Sequence, residues 1–539
     1  MRKTFLLLAL ICVTVGSVFA QEKKMLTPND AAYQNRSIYP VGKSVKWLTG
    51  TDKYIFTEGN NLMVQEVSAK SASVMLSLDQ VNSYLNNAGM DSIKRLPNLT
   101  WLDAEKAYYY SFDKNTNSIN LNLLDVKAKK IKKVTSIPSN AENYTVTTPS
   151  LKVAYTIDNN LYYADGDKQV QVTDNAENVV AGQSVHRNEF AINGGIFWSP
   201  DGSKLAYYNM DESMVSDYPL VDITTRVAEA TPIKYPMAGM TSHEVTLNIY
   251  NTENGEQLVV KTEGPADQYL TSITWNPHNE MIYIGVLNRG QNHLQFNEYS
   301  ASNGEYLQTI FEDRDEQYVE PVGPAHFLPN NNKEFLWLAQ RDGFYHVWKH
   351  NTITKEAKQI TKGDFVITAF EGFDKKGNNI YYTSTEVSPL ERHYYKQNLK
   401  NGKKVKISKE HGTHSVTPSA SGKYFIDSYS STDVARNIDI MDANGKQVKR
   451  LHEAADPLKE YNIGTIELGT LEAEDGQTLY TRLIKPYNFD ENKKYPVVIY
   501  VYGGPHAQMI TDSWTAGAGI FLHYLSQEGF IVFTLDNRG

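Results

Sequence analysis

The chain has 539 residues, of which 41% are apolar and 21% charged, with 35 tyrosines and one cysteine. That length exceeds one ordinary core and calls for two or more domains, and the composition is that of a folded, strand-rich protein and excludes general disorder. A formal charge of -9 without long blocks of one sign excludes nucleic acid as a partner.

Residues 1–20 read as a signal peptide. Arg2 and Lys3 precede an apolar run from Phe5 to Val15, and Gly16 to Ala20 supplies small residues where a signal peptidase reads, so cleavage is expected before Gln21. The run is shorter than the roughly 20 residues a membrane-spanning helix needs. Cys12 lies inside it, with Ile11 where a lipoprotein site wants a small residue. The mature chain then has no cysteine, which excludes disulfides and thiolate metal sites. Export to the periplasm, the cell surface or the medium is the expectation.

From about Lys43 to about Lys459 one unit recurs: a strand end, a tight turn and a second strand. It stands as Phe197-Trp-Ser-Pro-Asp-Gly-Ser-Lys-Leu-Ala-Tyr-Tyr208, as Thr274-Trp-Asn-Pro-His-Asn-Glu-Met-Ile-Tyr283, as Gly372-Phe-Asp-Lys-Lys-Gly377 and as Thr417-Pro-Ser-Ala-Ser-Gly422. Gly377 and Gly422 are 45 residues apart and Pro277 and Pro329 are 52 apart, the period of four-stranded β-propeller blades. The longer gap from Pro200 to Pro277 implies an insertion, for which Met214 to Gly239 is the candidate. Weaker elements near Trp47, Trp101 and Tyr155 suggest earlier blades, and seven or eight fit the length. A short helix near His186 to Phe190 is the one helical signal expected in this stretch. Such turns specify a fold and leave a non-catalytic binding propeller fully open as a function.

Beyond Lys459 the pattern changes. Thr465 to Ala473 and Thr478 to Lys485 form an expected hairpin around Asp475-Gly476. The run from Val497 to Val501 lacks polar alternation and predicts a parallel strand buried on both faces. A helix over about Asp512 to Glu528 would place Trp514, Ala518, Phe521 and Leu525 on one face, and Phe530 to Leu535 is a further strand. Ligands gather at the carboxyl ends of such strands, and this end carries Tyr502 followed by Gly503-Gly504-Pro505. The residues alone also fit Tyr502 as a core tyrosine. The expected division is 1–20 signal peptide, 21–460 propeller and 461–539 α/β domain.

The segment Tyr495-Pro-Val-Val-Ile-Tyr-Val-Tyr502-Gly-Gly-Pro-His-Ala-Gln508 resembles the prolyl oligopeptidase family of serine peptidases, in its dipeptidyl peptidase IV branch. Arg341-Asp-Gly-Phe-Tyr-His346, Ser388-Pro-Leu-Glu-Arg-His393, Tyr235-Pro-Met-Ala-Gly239 and Tyr318-Val-Glu-Pro321 look most like its bacterial prolyl tripeptidyl peptidases, and are expected to be packing stretches. The resemblance implies a mainly β chain, with an eight-bladed propeller followed by the start of an α/β-hydrolase domain. It implies release of short proline-ending peptides from free N-termini, no cofactor and no metal, and it allows a homodimer.

Two sites follow from that resemblance. The hydroxyl of Tyr502 would join the oxyanion hole. A glutamate pair, standing here as Asn188 and Glu189 in Val185-His-Arg-Asn-Glu-Phe190, would bind the ammonium of the peptide. Asn188 departs from the pattern by one charge, which bears on the substrate register. A desolvated ammonium requires charge-assisted acceptors, so such a site rejects blocked peptides. His506 and His523 are expected to be surface and helix histidines. The 539 residues contain no G-x-S-x-G, so Ser, Asp and His of the triad would lie beyond Gly539 and the chain as it stands would be inactive.

Overall fold

In this computed structural model the described residues are 23–538 apart from Gln34 and Pro149; the expected signal peptide lies outside them. They divide into two compact units, one of residues 42–431 with 436–453, the other of residues up to 41, 432–435 and 454–539.

In the larger unit, strands rich in Tyr, Ile, Val and Leu succeed one another through short turns. The repeated turn is held locally. Asp201 accepts hydrogen bonds through Oδ1 from the Ser199 hydroxyl (2.8 Å), the Ser203 amide (2.9 Å) and the Ser203 hydroxyl (2.8 Å), closing the Pro200-Asp201-Gly202 corner. Among the described residues eight antiparallel sheets of four or more strands follow in chain order, spanning 45–77, 100–138, 142–171, 179–259, 269–314, 326–359, 367–406 and 413–454. Seven have four strands and the fourth has five.

A single such sheet cannot bury both faces, so each packs on the next. Ile55 and Leu76 of the first meet Tyr109 and Leu124 of the second, whose Leu121 and Ile137 meet Val153 and Tyr155 of the third. Leu161 and Tyr163 then meet Leu205 and Tyr207, Leu247 and Ile249 meet Ile282 and Ile284, and Phe296 meets Phe335 and Trp337. Leu336 and Val347 meet Ile380 and Tyr382, and Tyr381 and Tyr394 meet Phe425 and Met441. The eighth sheet returns to the first: Ile426, Ile438 and Ile440 cluster with Tyr54 and Val67. Polar contacts tie the same seam, Trp47 Nε1 to the Thr417 carbonyl at 2.9 Å and the Ser421 hydroxyl to Asp52 at 2.7 Å. The unit is thus a closed β-propeller ring of sheets, each burying a face against its neighbours.

Two features of this unit depart from the simple repeat. Asp217–Asp222 and Glu229–Lys234 form a separate two-stranded hairpin within the anticipated insertion. Leu78–Asn87 is a ten-residue helix, where no helix was expected. Its start is a capping box between Ser77 and Gln80, and it buries Val81, Tyr84 and Leu85 on the first two sheets.

The smaller unit corrects the expected boundary, because described residues before 42 belong with it and not with the propeller. Lys24 bridges to Tyr461, and the Gln527 side chain takes both the amide and the carbonyl of Leu26 at 2.6 and 2.9 Å. Leu26, Ile38, Leu458 and Ile520 make their common core. The sheet runs in the order Thr465–Glu472, Thr478–Lys485, Ile531–Leu535, Val497–Tyr500, with the last pair parallel.

Two expectations fail here. The strand at Val497–Tyr500 is not buried on both faces: Ile499 is 67% exposed, because among the described residues it pairs on one side only. The helix runs only over Ile520–Gln527, behind a 3-10 turn at Trp514–Gly517 in which Thr515 and Ala516 take φ of 63° and 51°. The carbonyls of Met509 and Ala516 point to a buried arginine, so they cannot bond along a helix.

Candidate functional site

Tyr502 follows the strand Val497–Tyr500 and is 64% exposed. Its ring lies against Gly504: a Cβ there would fall 2.6 Å from the ring, so any larger residue would displace the phenol. The Gly504 carbonyl in turn accepts from Asn537 Nδ2 at 3.3 Å, tying this turn to the exit of the neighbouring strand.

The loop after this turn is gripped from below. Asp536 accepts from the amides of Met509 (2.7 Å) and Ile510 (3.1 Å). Arg482, in the middle of Thr478–Lys485 and fully buried, donates to the carbonyls of Met509 (2.8 Å) and Ala516 (2.6 Å) and to the Thr534 hydroxyl (3.1 Å). Burial lowers the pKa of its guanidinium, and the nearby Asp536 carboxylate opposes that shift. Neither residue was singled out from the sequence, since Arg482 stands in an alternating strand pattern that reads as solvent-facing. His523 is buried in its helix, and burial pushes its pKa down to about 4. A neutral imidazole enclosed in this way is a packing group, in line with the expectation for it.

Asn188 and Glu189 lie in the propeller unit, adjacent in one exposed turn; Tyr502 belongs to the other unit. The turn is the 3-10 element His186–Asn188, capped by the Glu189 amide on the His186 carbonyl at 3.1 Å. It projects from the fourth sheet through a neck at Gln183 and Gly195, where a Cβ on Gly195 would lie 2.0 Å from the Gln183 carbonyl oxygen. Only glycine fits that approach. Four non-glycine residues of the turn take left-handed φ: His186 (52°), Asn188 (63°), Phe190 (55°) and Ala191 (60°). For Phe190 and Ala191, which lack the polar side chain that eases this conformation, each costs roughly 1–2 kcal/mol, so the turn is held by its surroundings and not by its own preference.

Those surroundings are aromatic. His186 is buried, its Nδ1 hydrogen-bonds His243 Nε2 at 3.0 Å, and its ring meets Tyr269 edge-on at 4.9 Å. Phe190 packs on the same Tyr269 at 4.6 Å, and Arg289 donates to the Tyr269 hydroxyl at 2.6 Å. Burial, then His243 and Arg289, push His186 down to about 3, so it is neutral at any working pH.

Two of the shared stretches place a side chain in packing, while Tyr318 of another is exposed. Arg341 pairs with Asp313 at 2.6 Å and lies over Phe311 and Trp348, and His393 is buried between Glu391 and Ser408 at 2.8 and 3.0 Å.

A family model for the dipeptidyl peptidase IV (DPP IV) N-terminal region matches residues 99–436. The dipeptidyl peptidase 4 of Trichophyton rubrum is 23% identical over 549 residues, covering 96% of this chain and 69% of its own. A Bacteroides ovatus crystal structure assigned as a dipeptidyl aminopeptidase IV is 36% identical with a TM-score of 0.85, over 93% of this chain and 73% of that one. Porphyromonas gingivalis dipeptidyl peptidase 4 shares the fold at a TM-score of 0.81 and 22% identity, over 96% of this chain and 74% of that one. With more than half its length in that model and a propeller unit of the same fold, the chain belongs to the dipeptidyl peptidase IV family.

Proposed function

We propose that these residues are the larger part of an exported serine exopeptidase that releases di- or tripeptides ending in proline from free N-termini. The observation that carries the reading is the exposed carboxylate of Glu189, presented on a strained turn that packing holds in place. Tyr502 would donate its hydroxyl to the oxyanion of the tetrahedral intermediate beside a backbone amide. The triad would come from sequence after Gly539. Three things support this: no G-x-S-x-G occurs in the chain, the Val497–Tyr500 strand has one unpaired side among the described residues, and about 30% of the relatives' length is unmatched. The smaller unit, with its parallel strand pair, would be the opening of an α/β-hydrolase domain.

The test uses the longer polypeptide with a prolyl chromogenic peptide, free and N-acetylated. Glu189→Gln should raise KM for the free amine on the order of tenfold or more, since it removes the charged acceptor and leaves Asn188 alone. An unchanged KM removes Glu189 from the site. A homodimer through the hairpin 217–234, whose Leu220, Val221, Ile223 and Val227 are exposed, is proposed alongside. Light scattering that returns the mass of one chain at micromolar concentration rejects it.

A further inference from the structure

We infer that His186 is a positioning residue for peptide recognition, locking the Glu189 turn through its hydrogen bond to His243 and its contact with Tyr269. This rests on the ammonium-binding reading of Glu189 given above and adds to it how the carboxylate is held.

The argument starts from the backbone. Glu189 is exposed and, among the described residues, no hydrogen bond or ion pair restrains its carboxylate, so its placement depends on the chain that carries it. That chain adopts left-handed φ on both sides, at Asn188, a residue type that tolerates it, and at Phe190, a bulky residue that leaves it readily when unrestrained. What prevents this is a pair of anchors. His186 enters three residues before Glu189 and Phe190 one residue after, and both rings pack on Tyr269. Thr271 adds a hydroxyl hydrogen bond to the Phe190 carbonyl.

Two of these contacts are directional, the Thr271 hydrogen bond at the end of the turn and the imidazole pair at its start. A ring contact tolerates sliding, whereas Nδ1 of His186 and Nε2 of His243 at 3.0 Å fix where the turn begins. His243 stands immediately before the strand Glu244–Asn251 of the fourth sheet, and Tyr269 opens the first strand of the fifth. The turn is therefore referenced to two sheets at once. A charged His186 is disfavoured by burial, by His243 and by Arg289, so its ring enters this hydrogen bond as a neutral imidazole.

Displacing a binding carboxylate by about 1 Å can cost up to a hundredfold. His186→Ala should therefore raise KM for a free-amine prolyl p-nitroanilide about tenfold while leaving kcat within about twofold. His186→Asn, whose amide can reach the same His243 nitrogen, should restore most of the loss. Hydrogen exchange read at the Asn188, Glu189 and Ile192 amides should quicken in His186→Ala and stay slow in His186→Asn. Glu189→Gln is run beside them. If Glu189→Gln raises KM and His186→Ala does not, the positioning role is wrong while the ammonium reading stands. If Glu189→Gln is without effect, the ammonium reading is wrong, and the inference falls with it. Unchanged exchange at the three amides in a folded His186→Ala protein overturns the inference whatever Glu189 does. If His186→Ala fails to fold, equal KM and exchange in His186→Asn and His186→Phe, only one of which can bond His243, overturns it as well.

Discussion

Tyr502→Phe, made in the longer polypeptide, should lower kcat on the order of 10²–10³-fold with KM nearly unchanged. In the proposed oxyanion role the hydroxyl would act only at the transition state, so removing it should cost catalysis and not binding. Stability should stay within about 0.5 kcal/mol, as for exposed positions generally, because the ring is 64% exposed and the substitution keeps it. Steady-state kinetics with a thermal melt on the same sample decides the matter. Normal turnover per folded molecule together with a large loss of stability would make Tyr502 a packing tyrosine after all.

A second large effect is expected at Arg482. Arg482→Met keeps the length and apolar stem of the side chain but leaves the carbonyls of Met509 and Ala516 without their donor inside the fold. The loss should be about 2–5 kcal/mol, at about 1–3 for each carbonyl left without a donor. It should be local. Amide exchange should quicken across 503–518 and spare the eight sheets of the propeller, which have their own cores. Arg482→Lys should recover only part, since an ammonium cannot span both carbonyls and the Thr534 hydroxyl with the same fork. Unchanged exchange across 503–518 would mean that the loop supporting the Tyr502 turn is held some other way.

What could be read in the chain, and what could not, divides by distance along it. The Trp-Ser-Pro-Asp-Gly corner is visible because Asp201 bonds residues within two positions of itself, and the Asp475-Gly476 hairpin is visible for the same reason. The helix at Leu78–Asn87 had an equally local signal, the Ser77 and Gln80 capping box, hidden in a strand-dominated stretch. Arg482 is different. Nothing near it in sequence marks it as buried; a loop well downstream folds over it. His186 and His243 are 57 residues apart, and Leu26 meets Gln527 across 501. Such partners are brought together by packing alone, which no periodicity records. The Val497–Tyr500 strand has the composition of a strand buried on both faces, yet burial also needs a neighbour, and among the described residues it has one on a single side.

As proposed, this chain supplies the ammonium site and the Tyr502 hydroxyl of a serine exopeptidase, and the nucleophilic serine is not among residues 21–539. Labelling with a serine-directed fluorophosphonate tests it most directly, comparing residues 21–539 with the longer polypeptide and scoring prolyl peptide release in the same samples. No label and no release are expected from residues 21–539, and stoichiometric label that abolishes release is expected in the longer chain. Inhibitor-sensitive release by residues 21–539 would contradict it by placing the active site within them, and a longer chain that neither labels nor cleaves would leave a binding propeller in place of an enzyme.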